Sequence, residues 1–121
     1  MKSHAQVVIV GGGIMGVSLL YHLTKEDWTD VVLIEKGELT SGSTWHAAGQ
    51  CPHFVGSYNA AKIHNYSNRL YQDLEKETGQ STGWHGCGSL RLALKEEDVN
   101  WFHYVKGILD NVGSPAKFVP K

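Results

Sequence analysis

Val7–Gly16 reads VVIVGGGIMG. Four consecutive β-formers run into three glycines, and the residues from Ile14 to Lys25 then carry no proline and only Gly16 as a glycine. Val7–Val10 fits a short strand buried on both faces, as strands of parallel sheets are. The glycines end it. Beyond them, Ile14, Val17, Leu20 and Tyr21 fall near one side of a helix. Glu26–Asp30 reads as a turn, and Val31–Ile34 as a second strand of the same buried type, closed by Glu35. Strand, glycine turn, helix and strand within about 30 residues make a βαβ unit, whose crossover is right-handed.

Gly11, Gly13 and Gly16 match G-x-G-x-x-G. Alone the pattern is weak, since glycine turns are common. Here it follows a predicted strand, opens a predicted helix and is followed by an acid at the end of the next strand, which is the context a dinucleotide site requires. Gly11 permits the tight turn, Gly13 lets backbone approach a pyrophosphate, and Gly16 lets helix and strand pack closely. The helix N-terminus offers unpaired N–H groups and the positive end of its dipole to the phosphates. Glu35 stands where a ribose hydroxyl would be bonded. A plain βαβ turn with a surface glutamate is the bland alternative, and the register of the whole pattern weighs against it. The turn leaves NAD and FAD equally open, because both carry an ADP half.

The stretch after the second strand, ELTSGSTWHAAGQ from Glu38 to Gln50, is small and hydroxylated, with one Trp and one His side by side. Ser41, Ser43 and Thr44 have hydroxyls suited to phosphate oxygens, and Gly42 and Gly49 allow close backbone approach. An extended dinucleotide with a tricyclic head would bring that head to Trp45 and His46. Further on, Ala60, Ile63, Ser67, Leu70 and Leu74 recur at helical steps, with Gly79 placed to stop the helix. Thr82–Gly88 is a glycine-rich turn. Ser89–Leu94 alternates, with Leu90, Leu92 and Leu94 on one face, and predicts a strand. A last helix from about Glu96 predicts burial of Val99, Phe102, Val105 and Leu109, ending before Gly113. Two parallel strands and one alternating strand do not complete a covered sheet. The sequence therefore reads as an α/β chain: an incomplete Rossmann-type βαβ unit, then helices and the start of another sheet.

VVIVGGGIMGVSLLYHL, VVLIEKGELTSGSTWHAAG and LEKETGQSTGWHGCGSLRLA together resemble the start of the dimethylglycine dehydrogenase and sarcosine dehydrogenase family, flavoproteins of the D-amino-acid-oxidase-like superfamily. The resemblance runs from about Val7 to Leu94, and STWHAAG is its most specific part. It implies FAD as the cofactor, bound covalently through its 8α carbon to His46; a neutral imidazole is a competent nucleophile for such a link. It also implies Ile14 and Met15 at the pyrophosphate turn and Glu35 and Lys36 at the adenosine ribose. Gly42, Ser43, Thr44, Trp45, His46, Ala47, Ala48 and Gly49 would surround the flavin. The implied reaction takes a hydride from the N-methyl carbon of a small amino acid. The resulting iminium is hydrolysed, or its one-carbon unit passes to folate held by a further C-terminal domain. The domain expectation is a cofactor-binding part over 1–82 and the start of a substrate-binding part over 83–121. The family's enzymes are several times longer, so the 121-residue chain alone is expected to have little or no turnover, and no substrate-contacting catalytic residue is assigned within it.

Composition closes other routes. A net charge of −1 with interspersed signs offers no basic face for nucleic acid or an anionic membrane. No apolar run reaches the roughly 20 residues of a membrane span. Few residues precede the first strand, so no leader is read and the cytoplasm is the expected compartment. Cys51 and Cys87 are expected as free thiols. His46, Cys51, His53, His85 and Cys87 match no regular zinc spacing, so no metal site is assigned. A NAD-binding domain would leave the Trp-His loop without a role. A non-catalytic FAD-binding remnant is the other competing reading.

Overall fold

The computed structural model describes residues 3–114 and 116–119. The chain divides into two compact units, Met1–Gln50 and Cys51–Lys121. In the first, β1 (Val7–Val10) and β2 (Val31–Ile34) pair in parallel, with Val7 opposite Val31 and Val10 opposite Ile34. α1 (Ile14–Lys25) connects them. This is the incomplete Rossmann-type βαβ unit expected from the sequence, and its three elements fall where the β-formers and glycines placed them. A short 3₁₀ turn over Ser43–His46 follows β2.

Burial on both faces does not hold. Ile9 is 6% exposed, whereas its neighbours Val8 and Val10 are 51% and 84% exposed. Successive strand residues point to opposite faces. Ile9 faces Gly16 of α1, and the side bearing Val8 and Val10 is exposed among the described residues. The sheet has two strands among the described residues.

The second unit is built on α2 (Tyr58–Thr78) and α3 (Glu96–Asn111), which pack against each other. Gly79 ends α2 in the left-handed conformation, φ +69°, which costs a residue without a Cβ nothing extra. Acids fill the first turn of α3, where they complement the helix dipole. The Asp98 carboxylate there accepts the N–H groups of Leu94 and Lys95. Val105, Leu109 and Ala61 are buried, and Phe54 meets Phe102 edge-on at 5.3 Å.

The buried stripe of α2 is turned by about one residue from the expected one. Ala61 and Asn68 are buried, while Ile63 is 65% exposed. Asn68 occupies an apolar-looking position because both ends of its amide are used. It donates to the His64 carbonyl and accepts the indole N–H of Trp84 at 3.2 Å. Val99 is likewise more exposed than expected. The predicted strand over Ser89–Leu94 is not formed. Leu90, Leu92 and Leu94 are exposed, and among the described residues no strand lies beside them to bond their backbone. Alternation supplies a face, but a strand also needs a partner.

Candidate functional site

Gly11 leaves β1 with φ +106°, and its N–H donates to the Ile34 carbonyl at 2.8 Å. That bond extends the sheet by one residue and turns the chain into α1. A Cβ on Gly16 would overlap the Gly11 carbonyl oxygen and stand 3.3 Å from Ile9 Cγ2. The third glycine of the pattern is therefore required by helix–strand contact, as its spacing implied.

The middle glycine of the triplet, which the motif counts as any residue, is as constrained as the others. Gly12 is buried. Its N–H donates to Glu35 Oε2 at 2.7 Å, and its carbonyl accepts the Thr40 N–H at 2.9 Å. A Cβ there would lie 2.5 Å from Leu39 and 3.1 Å from Glu35 Cβ. Neither Gly12 nor Thr40 was singled out from the sequence; the run of three glycines was the available signal for the first. Thr40 adopts φ +65°, a conformation rare for a β-branched residue, held by its bond to Gly12 and by the Trp45 N–H on its own carbonyl.

Glu35 bridges the two sides of the turn. Its second oxygen accepts the Gly37 N–H at 2.9 Å. The Gly12 amide above all, then the Gly37 amide, hold its carboxyl below the ordinary range; partial desolvation opposes them, and the Lys36 amide and charge add to them. The carboxylate is ionised, and each oxygen keeps acceptor capacity beyond one amide bond.

Thr44 binds the far loop to the helix. Its hydroxyl oxygen accepts the N–H of Ile14, the first residue of α1, at 2.9 Å. Gly13 caps that helix, and a Cβ there would come 3.1 Å from the same oxygen. Thus Gly11, Gly13, Gly16, Ile14, Glu35 and Thr44 are brought together. Lys36, Gly42, Ser43, Ala47, Ala48 and Gly49 are exposed on the loop, and Met15 is exposed at the start of α1. Trp45 is 77% exposed and borders a shallow depression with Glu38, Leu39, Thr40 and Ser41. His46 closes the 3₁₀ turn and is exposed.

These residues fit a dinucleotide. Among the described residues the amides of Gly13, Met15 and Gly16 have no acceptor at the start of α1, as the first turn of a helix leaves them. They stand beside a turn whose side chains are hydrogens, with a carboxylate at the end of the neighbouring strand. Phosphate oxygens suit the amides, and hydroxyls suit the carboxylate. No three His, Cys, Asp or Glu side chains gather into a metal-holding cluster among the described residues, and no described helix is long and apolar enough to cross a membrane.

The family described as FAD dependent oxidoreductase matches residues 6–117. Dimethylglycine dehydrogenase, mitochondrial, of Rattus norvegicus is 55% identical over 103 residues, which are 85% of this chain and 12% of that protein. The mitochondrial pyruvate dehydrogenase phosphatase regulatory subunit of Mus musculus is 43% identical over 98% of this chain and 14% of its own length. A crystal structure of L-proline dehydrogenase from P. horikoshii superposes with a TM-score of 0.76 at 24% identity, over 93% of this chain and 29% of that one, and shares its fold. The chain belongs to the FAD-dependent oxidoreductase family, and membership supports FAD as the dinucleotide. It spans 12–14% of the length of the first two relatives. The expected cytoplasmic location does not stand, because the dimethylglycine dehydrogenases of rat, human and mouse are mitochondrial by name. The expectation rested on the few residues ahead of β1, and a folded domain carries no chemical mark of its compartment.

Proposed function

We propose, taking membership of the FAD-dependent oxidoreductase family as the premise, that this chain is the cofactor-holding portion of a flavoprotein dehydrogenase acting on an N-methylated amino acid such as dimethylglycine or sarcosine. The observation that carries the reading is that the loop bearing Trp45 and His46 is bonded to the glycine turn at two points, through Thr40 and Thr44. A cofactor whose pyrophosphate rests on the amides of Gly13, Met15 and Gly16 has its ring end on that loop. Glu35 and Lys36 take the adenosine ribose. Thr44 stands between pyrophosphate and ring, Gly42, Ser43, Trp45, Ala47, Ala48 and Gly49 surround the ring, and the His46 imidazole is its covalent tether. When bound, the flavin supplies the acceptor for a hydride from the substrate's N-methyl carbon.

The chain's own residues hold and orient. The substrate domain begins near Gly83, and the groups that touch substrate lie outside the residues assigned above. With Trp45 and His46 exposed, water reaches the ring position, so this chain by itself is expected to bind without turning over. The relatives support a mitochondrial location, and a folate-binding partner domain belongs to the same reading. A non-catalytic FAD-binding module is the second reading, favoured by the 43% identity to a regulatory subunit.

Colour and fluorescence test both readings. The protein is expected to be yellow, with flavin fluorescence that stays with the band after denaturing electrophoresis and disappears from it in His46→Ala. Anaerobic dimethylglycine or sarcosine is expected to bleach the bound flavin of the complete protein. Preparations that never take up flavin would end the proposal. Bound flavin that no N-methylated amino acid bleaches would establish the non-catalytic module instead.

A further inference from the structure

A helix N-terminus serves an anion only through N–H groups that remain free. In α1 the first of these, on Ile14, is taken by a side chain from 30 positions further along, the Thr44 hydroxyl. At first sight that removes a donor from the site. The chemistry of the hydroxyl reverses the conclusion. An N–H can only donate, so the Thr44 oxygen is the acceptor in this bond, and its own O–H is left to donate elsewhere. The donor is moved outward from the backbone onto a side chain, and a hydroxyl that accepts one bond becomes a better donor for the next.

The same bond has a mechanical side. Thr44 lies inside the 3₁₀ turn Ser43–His46, two residues before the imidazole. The turn is closed by the Trp45 N–H on the Thr40 and Gly42 carbonyls and by the Ala47 N–H on that of Thr44. Thr40 in turn donates to Gly12. Gly13 leaves room for this arrangement, since any Cβ there would stand 3.1 Å from the Thr44 oxygen. Backbone bonds fix the turn internally, and Thr44 fixes it to α1.

We infer that Thr44 is the positioning residue of the site. Its hydroxyl relays the Ile14 amide to the cofactor pyrophosphate as an O–H donor, and the same bond sets the register of His46 against the helix end. This rests on the dinucleotide reading above and goes beyond it, by making phosphate binding and ring tethering depend on one atom. An acid or amide at position 44 could cap Ile14 but would place a carboxylate or a larger group where the phosphate comes. Valine keeps the shape and loses both bonds. Serine keeps both.

The test uses the complete protein with two probes, ADP, which has the pyrophosphate and ribose but no ring, and FAD. Thr44→Val is expected to weaken ADP binding about tenfold, the size of one hydrogen bond to a charged group, and to lower the fraction of flavin retained after acid precipitation. Thr44→Ser is expected to restore both to within about twofold, with the Ile14 amide again protected from hydrogen exchange. Unchanged ADP affinity and unchanged covalent flavin in Thr44→Val would overturn the inference, as would failure of Thr44→Ser to differ from Thr44→Val. If wild-type protein binds ADP but never forms covalent flavin, the His46 tether fails, and the ADP comparison still decides the donor role of Thr44.

Discussion

The two units of this chain are held by different means. In Met1–Gln50 one large apolar side chain, Ile9, is buried among the described residues, and the unit is tied by bonds that begin or end on backbone amides: Gly11 to Ile34, Gly12 to Glu35, Thr40 to Gly12, Ile14 to Thr44. In Cys51–Lys121 side chains do the binding. Ala61, Val105 and Leu109 are buried, Trp84 reaches Asn68, Asn65 donates to the Val112 carbonyl, and His53 meets Ser114. A region whose backbone must remain close to a ligand keeps its side chains small and uses directional bonds. A region that only supports needs volume. The candidate site lies in the first kind, and a packing-based search for a core would pass over it.

The comparison breaks most sharply at Gly16. Alanine there puts a methyl group onto the Gly11 carbonyl, and no side-chain rotation relieves a contact with backbone. Gly16→Ala is expected to cost about 4 kcal/mol or more, beyond ordinary overpacking, and to abolish ADP binding while the helices of the second unit keep their circular dichroism. A variant that binds ADP normally would mean that α1 can shift and that the first unit is less tightly specified than described.

Leu109→Ala is the matching experiment in the second unit. Removing a side chain that is 3% exposed leaves a cavity costing about 3 kcal/mol, read by chemical denaturation. The amide signals of Gly11 and Gly12 are expected to stay where they are. Movement of those signals would show that the glycine turn depends on the helical pair.

Acid is the gentlest of the three perturbations. The Glu35 carboxyl titrates below its unfolded value of about 4.3 because the Gly12 and Gly37 amides favour the ionised form. A depressed folded-state pKa gives stabilisation that is present above the unfolded value and is lost as pH falls through the folded one. The Gly12 amide shift is therefore expected to titrate below pH 4.3, and ADP binding to weaken over the same interval. Glu35→Gln should remove that titration. A Gly12 amide that titrates with an ordinary carboxylate midpoint would show the bridge to be loose.

Legibility followed the same division. The βαβ unit could be read because its signals are local: β-formers at Val7–Val10 and Val31–Ile34, glycines between them, and an acid at a fixed distance. The position of Gly79 likewise marked the end of α2. What escaped depends on partners. The face of α2 was misjudged because Asn68 looks polar until its bond to Trp84 is known. Ser89–Leu94 has the alternation of a strand and, among the described residues, no strand to pair with. Gly12 and Thr40 escaped because their constraint is a bond between segments 28 residues apart, which no local pattern records. The hydroxyls of the STWHAAG loop were seen as ligands for phosphate; that one of them also grips the helix is a property of the fold.

The two-stranded sheet has a consequence for the life of the chain before it reaches its mature surroundings. Among the described residues neither strand is interior, so β1 and β2 each leave one row of peptide groups without a neighbouring strand, next to the exposed flank of Val8, Val10 and Ile34. Such a ribbon is adhesive toward any extended polypeptide it meets. While that flank is uncovered the chain is expected to associate through it at high concentration, and to stop doing so once it is covered.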